Sequence, residues 1–263
     1  DRAGRSLVRR MYEFARRPKW ILSHLFVLVL VAAMVVAGLW QLDRLQQKKD
    51  RNALVEERLD EPVAPVEEVV GAEQPTDEGD DVRFRRATAT GTYLVDEQVL
   101  VRNRSFDGAP GSWVLTPLVL DDGSALVVNR GWVPVTAEQP VPAEAAPPTG
   151  EVAVEGLLEA SQERGSFGPT DPSGEELATL SRVDLDRLQE QVDEDLYPVW
   201  LQLEAQDPAQ GDRPTMLERP DLSEGPHLSY AVQWFTFTLI ALVGYPLVLR
   251  RRARQGEPEP VPA

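Results

Sequence analysis

The chain of 263 residues contains no cysteine. Disulfides, thiolate metal sites, cysteine nucleophiles and the CxxC or CxxxC motifs of copper carriers are therefore excluded. The absence says little about the compartment, because an oxidising environment permits disulfides without requiring them.

Histidine is almost as scarce, since His24 and His227 are the only two. A Ser-His-Asp triad or a multi-histidine zinc or copper site cannot be assembled from residues 43–226, which contain none. Neither a GxGxxG pattern nor a P-loop is present. The carboxylates lie in no recognisable catalytic context, so we interpret them as solvated surface charge and predict that the chain is not an enzyme.

Basic residues are outnumbered by acidic ones: 27 Lys and Arg against 43 Asp and Glu give a net charge of −16. Residues 43–227 carry the excess, with 39 acidic and 16 basic residues. Such a chain would repel a polyanion, so nucleic acid is not an expected partner.

Two long apolar runs interrupt this polar composition, at Trp20–Leu42 and Leu228–Leu249. Each run is long enough to cross a hydrocarbon core about 30 Å thick as a helix. A cleaved signal peptide is the alternative for the first run, because a basic segment precedes it and Val35-Val36-Ala37 resembles a cleavage site. We favour two transmembrane helices that pack as an antiparallel hairpin, with Ala33, Ala37 and Gln41 facing Ala231, Thr238 and Ala241.

The distribution of basic residues predicts the orientation. They cluster outside the two runs, at Arg2, Arg5, Arg9, Arg10, Arg16, Arg17, Lys19, Arg250, Arg251, Arg252 and Arg254. A smaller basic set within 44–58 is mixed with acidic residues. By the positive-inside rule, both termini (1–19 and 250–263) are predicted to be cytoplasmic and residues 43–227 to be extracytoplasmic.

The region between the runs reads mainly as strands, after a helical continuation of the first run to Leu59. Alternating or continuous apolar patterns predict strands at 83–93, 98–103, 112–120, 124–130, 151–159 and 197–206. Residues 183–192 predict one helix with Asp184 as its N-cap. The acidic, Pro-containing segments 60–81 and 136–150 are predicted to be surface loops, so that deletion of 64–78 should leave the core intact. The fold class expected is an α+β membrane protein with a mostly antiparallel β domain.

His227 begins a helical stripe that continues with Tyr230, Trp234, Thr238 and Ala241. The stripe has two interpretations: an aromatic belt at the membrane surface, or a site for a flat, membrane-soluble ligand held by an imidazole and aromatic walls. His24 lies near the other face beside Trp20, where an interfacial role is favoured. A helix rises roughly 27 Å over one span, so the two imidazoles cannot share a metal ion.

Three stretches together resemble the Surf1/Shy1 family of cytochrome c oxidase assembly factors. They are GLWQLDRLQQKK (38–49), VLVRNRSFDGAPGSWVLTPLVLDDGSALVVNRGWVP (99–134) and HLSYAVQWF (227–235). The resemblance covers nearly the whole chain in the same order, and the segment 60–81 is its least family-like part. The residues that match the family motifs are Trp40, Gln41, Arg44, Arg102, Asn103, Arg104, Asn129, Arg130, Gly131, Trp132, His227 and Trp234.

The resemblance implies a bacterial plasma-membrane assembly factor for an aa3-type cytochrome c oxidase. Family members are associated with haem a and its insertion into subunit I, and His227 with Trp234 corresponds to the candidate haem contact. Haem a is the implied cofactor, bound stably or in passing. Subunit I is the implied partner, with haem a synthase and a respiratory supercomplex as further candidates. A cofactor-free scaffold and a permanent accessory subunit remain the alternatives.

A haem site at this position has a simple physical basis. Neutral imidazole is a common axial ligand of haem iron, and we expect its second nitrogen to be oriented by Glu224 or by the backbone. Arg44 is positioned to meet the anionic propionates, while Tyr230 and Trp234 would contact the ring. Arg130 and Trp132 are equally compatible with ligand contact and with stabilisation of the fold.

Overall fold

The computed structural model describes residues 12–70, 79–134, 143–166 and 168–255. These form two compact units: a helical unit from the described parts of Asp1–Ala53 and Leu222–Ala263, and a β unit, Leu54–Asp221. The basic residues of 1–11 lie outside the described ranges.

Two long helices dominate the helical unit, α1 (Pro18–Asp60) and the last helix of the chain, His227–Gln255. A short 3₁₀ turn, Glu13–Arg16, precedes the first. Both helices are long and apolar enough to cross a membrane. Helix α1 also confirms the predicted continuation beyond the apolar run, because it extends without interruption to Asp60.

Only a narrow stripe of each long helix is buried. On α1 the stripe includes Met34, Gly38 and Leu45, with half-buried Gln41 between them. On the last helix it includes Ala231 and Thr238, with half-buried His227, Trp234 and Ala241. The spacing alternates between three and four residues, as in the seam of two packed helices.

The stripe on α1 differs from the predicted one at two positions. Ala37 is only half-buried, and the neighbouring Gly38 is buried. Ala33 is exposed, and the neighbouring Met34 is buried instead. Gly38 allows the closest approach, since a Cβ at this position would lie 2.9 Å from the ring of Phe235. A small residue at such a contact lets two helices pack tightly where lipid offers no hydrophobic driving force.

The β unit contains eight strands in its described residues. They are β1 (Ala64–Pro65), β2 (Arg86–Tyr93), β3 (Val99–Phe106), β4 (Ala109–Leu120), β5 (Ala125–Pro134), β6 (Glu151–Ala160), β7 (Thr179–Leu180) and β8 (Leu196–Asp207). Short helices are α2 (Val66–Val69), α3 (Gly79–Val82) and α4 (Leu185–Gln189), so that His227–Gln255 is α5. The six predicted strands are confirmed, and Asp184 caps α4 by accepting a hydrogen bond from Arg187 N at 3.0 Å.

The sheet is mixed: five strand pairs are antiparallel, in line with the predicted mostly antiparallel domain, and three pairs, which were not predicted, are parallel. Its order is β1-β2-β6-β8-β5-β4-β3-β7, with β2 also paired to β4. The pairs β1–β2, β3–β7 and β5–β8 are parallel. Two neighbouring parallel strands must be joined by a long crossover connection. The connection from β5 to β8 contains β6, β7 and α4.

The second pairing of β2 closes five strands, β2, β6, β8, β5 and β4, into a barrel. Residues Gly91–Tyr93 of β2 pair with β4 while the same strand pairs along its length with β6. Gly91 permits this, because a Cβ there would lie 2.0 Å from the carbonyl oxygen of Val119. Closure removes the free edges that a sheet would otherwise expose.

Strand β5 is buried on both of its faces. Leu126 and Val128 belong to one apolar cluster with residues of β2, β6 and β8. Ala125 and Val127 belong to a second cluster that includes Leu185 of α4. A strand buried on both faces is expected to be continuously apolar, which accounts for the run Ala125–Val128.

The acidic segment 60–81 is not simply a surface loop. Ala64 and Pro65 pair with β2, and the side chains of Val66 and Val70 are buried in the first cluster. Residues 71–78 lie outside the described ranges. The expectation that 64–78 can be deleted without effect on the core is therefore wrong, because the deletion would remove Val66 and Val70 from the first cluster.

The second predicted loop, 136–150, is likewise partly folded. Residues 136–142 lie outside the described ranges. Ala145 and Pro147 are buried, and Ala145 joins Leu100, Val114 and Val133 in a third small cluster. A short stretch around Ala145 and Pro147 therefore packs on the sheet, although the proline-rich composition predicts a loop.

Replacing Val66 with alanine should lower the free energy of unfolding of the β unit by about 2 kcal/mol, since two buried methyl groups are removed and a cavity remains. Val63→Ala is the matched control, because Val63 and Val66 lie on either side of β1 but Val63 is 37% exposed. Chemical denaturation of the full chain in detergent would measure both. Equal effects of the two substitutions would contradict the burial of 64–70.

Candidate functional site

His227, the first residue of α5, makes one defined hydrogen bond. Its Nδ1 lies 2.8 Å from Oε1 of Gln41 on α1. A carboxamide oxygen only accepts, so Nδ1 carries the proton and donates it. In the neutral imidazole the other nitrogen, Nε2, then carries a free lone pair, and no partner for it occurs among the residues that the structure describes. An imidazole in this state is able to ligate a metal ion.

Gly225 leaves space beside the free nitrogen. A Cβ at this position would lie 3.8 Å from Nε2 of His227 and 3.6 Å from its Cδ2. Gly225 has a φ of 69°, in the left-handed region where glycine is favoured. The turn before α5 thus approaches the imidazole without placing a side chain over its free face.

The predicted orienting acceptor was wrong, because Gln41 accepts the proton rather than Glu224 or the backbone. The carboxylate of Glu224 instead forms an exposed ion pair with Lys49, at 3.6 Å. Gln41 was predicted both as a family-motif residue and on the stripe that faces the second helix, but not as the partner of His227. Its position three residues after Gly38 and four before Leu45 is the signal that places it on the buried stripe.

His24 contrasts with His227, since both of its nitrogens are used. Nε2 lies 3.1 Å from the carbonyl oxygen of Ala15, so it carries the proton. Nδ1 therefore accepts, and the hydroxyl of Tyr245 lies 2.6 Å from it. His24 ties α1 to α5 within the helical unit and has no nitrogen left for a ligand.

The aromatic residues near His227 divide between two positions. Trp234 is half-buried on the same stripe as His227 and meets Phe237 edge-on, with ring centroids 6.3 Å apart. Tyr230 is 47% exposed, and Ala231 takes the buried position that follows His227. The predicted stripe is therefore correct for Trp234, Thr238 and Ala241, whereas Tyr230 lies beside it.

Arg44 and Trp40 form an exposed pair one turn apart on α1. The guanidinium lies 5.5 Å from the indole centroid, and Nη1 donates to Oε1 of Gln47 at 2.7 Å. Trp40 is 51% exposed. Among the described residues no carboxylate forms an ion pair with Arg44, so its charge is available to an anion.

The motif residues of β3 lie around an irregularity in the strand. The register with β4 shifts between Val101 and Arg104, and Asn103 has a φ of 61°. Such a bulge redirects side chains. Arg102 pairs with the buried carboxylate of Asp171 at 2.8 Å, while Arg104 lies 4.4 Å over the Trp113 ring.

The pKa of Asp171 is set by opposing influences. Burial raises this pKa. Hydrogen bonds from Ser181 and the charges of Arg102 and Arg182 together lower it by more, so the pKa of Asp171 is below its ordinary value. A carboxyl with a lowered folded pKa stabilises the protein above its unfolded pKa and loses that contribution as the pH falls. Arg102 therefore belongs to a stabilising cluster in the β unit.

Arg130 is fully buried, which is unusual for a charged residue. Nη1 donates to Oε1 of Gln98 at 3.0 Å and to the carbonyl oxygen of Ala145 at 2.8 Å. The guanidinium carbon lies 5.4 Å from the Tyr93 ring. Burial lowers the pKa of Arg130 to about 10, which corresponds to a cost of about 3 kcal/mol at neutral pH.

The residues around Arg130 hold neighbouring strands together. Oδ1 of Asn129 accepts from the amide of Gly131 at 3.2 Å. Trp132 pairs with Thr215 in an isolated β-bridge and donates from Nε1 to the carbonyl oxygen of Arg104 at 3.0 Å. These contacts lie within the β unit, and they support the fold-stabilising interpretation of Arg130 and Trp132.

The described residues contain no group of three or more His, Asp or Glu side chains able to hold a metal ion. A bare ion needs several such ligands, whereas haem carries its own four nitrogens and needs only an axial one. The single free nitrogen of His227 therefore fits the one axial contact that a haem needs and not the several that a bare ion needs.

Comparison with known proteins adds a family match and several relatives. The model of the SURF1 family matches residues 28–239. An uncharacterized SURF1-like protein of Mycobacterium tuberculosis is 29% identical over 255 residues, covering 94% of this chain and 92% of that protein. A SURF1-like protein of Monosiga brevicollis is 28% identical over 86% of this chain and 87% of its own length. The cytochrome oxidase assembly protein SHY1 of Saccharomyces cerevisiae is 28% identical over 116 residues, 44% of this chain and 28% of that protein.

Gly131→Ala should destabilise the β unit by more than 2 kcal/mol. Gly131 has a φ of 132°, and a Cβ there would lie 2.3 Å from the carbonyl oxygen of Thr215, so backbone strain and a backbone clash add. Gly108→Ala is the matched control, since its φ of 77° is also positive but nothing lies within 4 Å of the added Cβ; about 1 kcal/mol is expected from strain alone. Similar losses in denaturation experiments would argue against the Gly131–Thr215 contact.

Proposed function

Because the chain belongs to the SURF1 family, we propose that it is a membrane-anchored factor for assembly of a cytochrome oxidase of the aa3 type. The proposal extends to this chain the role that the yeast relative's name states, that of a cytochrome oxidase assembly protein. An assembly role agrees with the absence of cysteine and the shortage of histidine, which remove the commoner catalytic sites.

The anchor is the pair α1 and α5, which we propose to span the membrane as an antiparallel hairpin. Supporting contacts join Ser23 and His24 to Tyr245, Gly38 to Phe235 and Gln41 to His227, so positions rise along one helix as they fall along the other. Outside this seam both helices expose large apolar side chains along their length. Apolar surface of that extent is unfavourable in water and expected in lipid.

The arginines at the end of α5 support cytoplasmic termini. Arg250, Arg251 and Arg254 are exposed beside Leu247, and basic residues next to a span are retained on the cytoplasmic side. The β unit is then extracytoplasmic, as is the His227 end of the hairpin. The location that we propose, in a bacterium, is the plasma membrane.

The cargo that the site suits best is haem a, destined for subunit I of the oxidase. The observation that carries this proposal is the state of His227, whose Nδ1 is anchored to Gln41 at 2.8 Å while Nε2 has no partner among the described residues. When bound, the haem would supply an iron that accepts one imidazole nitrogen. His227 would hold that iron.

The surroundings of His227 match the two kinds of surface that haem presents. Its apolar ring would meet the half-buried Trp234 and the exposed Trp40 and Tyr230. Its propionates would meet Arg44, which forms no ion pair with a carboxylate of the described residues. A charge-assisted hydrogen bond between guanidinium and carboxylate is a strong contact.

His227→Ala should reduce the haem that co-purifies with the full chain by at least about tenfold, because the axial ligand is lost. His24→Ala should retain haem, because both nitrogens of His24 are already used. The visible absorption spectrum of each detergent-purified variant, made in cells that synthesise haem a, measures the difference. Wild-type haem content in His227→Ala would overturn the ligand role.

The same spectra separate the remaining functional classes. A wild-type protein without haem would favour a cofactor-free scaffold. Deletion of the gene distinguishes an assembly factor from a permanent subunit: we expect oxidase subunits to remain in the membrane while their haem a and activity are lost. Unchanged activity in the deletion strain would contradict the assembly role.

A further inference from the structure

Gln41 and His227 meet at one end of the seam between α1 and α5. The carboxamide oxygen of Gln41 accepts the Nδ1 proton of His227. Gln41 is half-buried, between Gly38 and Leu45 on the buried stripe of α1. The close contact of Gly38 with Phe235 fixes the two helix backbones a few residues away, so the carboxamide is presented to the imidazole from a rigid element.

We propose that Gln41 is a positioning residue: it holds His227 in the Nδ1–H tautomer, so that Nε2 keeps a free lone pair directed away from α1. This inference rests on the proposed role of His227 as a haem ligand. Histidine free in water favours the opposite tautomer, with the proton on Nε2, where it cannot ligate iron. An acceptor at Nδ1 removes that competition and fixes the plane of the ring.

His24 provides a natural comparison within the same helical unit. A backbone carbonyl accepts from its Nε2, and the Tyr245 hydroxyl lies against its Nδ1. The two histidines of the chain are therefore held in opposite tautomers. The partners differ at both nitrogens. His24 meets a carbonyl at Nε2 and a hydroxyl at Nδ1, whereas His227 meets an acceptor at Nδ1 and no partner at Nε2 among the described residues, so only His227 has a nitrogen available.

The chemical nature of Gln41 has a further consequence. A carboxylate in this position would make the imidazole more basic and strengthen its bond to a metal. A neutral carboxamide orients the ring but adds less basicity. The arrangement suits a protein that must hold haem in a defined orientation and then release it to an acceptor.

The tautomers can be measured directly without haem. The full chain, labelled with ¹⁵N only at histidine and studied in detergent, has two imidazoles, which the spectra of His24→Ala and His227→Ala assign. We expect His227 to be protonated at Nδ1 and His24 at Nε2. In Gln41→Met, which keeps the length of the side chain but removes the acceptor, the Nδ1–H population of His227 should fall while His24 is unchanged. Gln46→Met is the matched control, because Gln46 is exposed and bonds only Asp50.

Haemin binding provides the second measurement. Gln41→Met should weaken haemin affinity about 10- to 100-fold, as is typical when the partner of a ligating histidine is lost. Gln41→Glu should bind haemin at least as tightly as wild type and release it more slowly to apomyoglobin, because the acceptor is retained and charged. Rescue by glutamate shows that the loss in Gln41→Met comes from the hydrogen bond and not from misfolding.

The outcomes distinguish two failures. If His227→Ala binds haemin like wild type, the haem-ligand role is wrong. If His227→Ala loses haemin but Gln41→Met retains both wild-type affinity and the Nδ1–H tautomer of His227, the positioning role of Gln41 is wrong and the ligand role stands. A change in the His24 signal of Gln41→Met would indicate disrupted helix packing and would also count against the positioning role.

Discussion

The β unit depends on the double pairing of β2, which hydrogen bonds to β6 along its length and to β4 at residues 91–93. This closes the barrel, and closure gives β5 two buried faces. Arg130 lies on β5, so its charge has no route to water. Its Nη1 donates to Gln98 and to the Ala145 carbonyl, while its Nε and Nη2 have no hydrogen-bond partner among the described residues. The cost of burying it is tolerated because barrel closure brings the Tyr93 ring of β2 against the guanidinium.

The three family motifs divide by what their residues contact. Those of β3 and β5, from Arg102 to Trp132, contact other residues of the β unit through a bulge, a β-bridge and a buried cation. Those of α1 and α5 leave two groups partly unused among the described residues: Nε2 of His227 has no partner, and Arg44 contacts Trp40 and Gln47 but no carboxylate. Side-chain groups that do not contribute to fold stability are the better candidates for a binding function.

The parts of the fold with a strong local pattern could be predicted from the sequence: both long helices, six strands and the Asp184 cap. Parallel pairing and barrel closure could not, because they join strands far apart in the chain and leave no local periodicity. Val66 and Val70 were not predicted to be core residues, because their acidic and proline neighbours are typical of a surface loop. In the site, His227 and Trp234 were predicted from helical spacing, but the Gln41 contact joins residues 186 apart and needs the packing of two helices.

That contact also explains how a chain with two histidines can give them different roles. Residue type is the same for His24 and His227 and does not separate them. The difference lies in what meets each ring nitrogen. At His24 the Tyr245 hydroxyl across the seam and the Ala15 carbonyl in the turn before α1 use both nitrogens, whereas at His227 the Gln41 carboxamide across the seam uses Nδ1 and Gly225 leaves the other side open. Helix packing supplies the partner of Nδ1 in both cases, and the second nitrogen is free only where the chain next to the helix offers no acceptor.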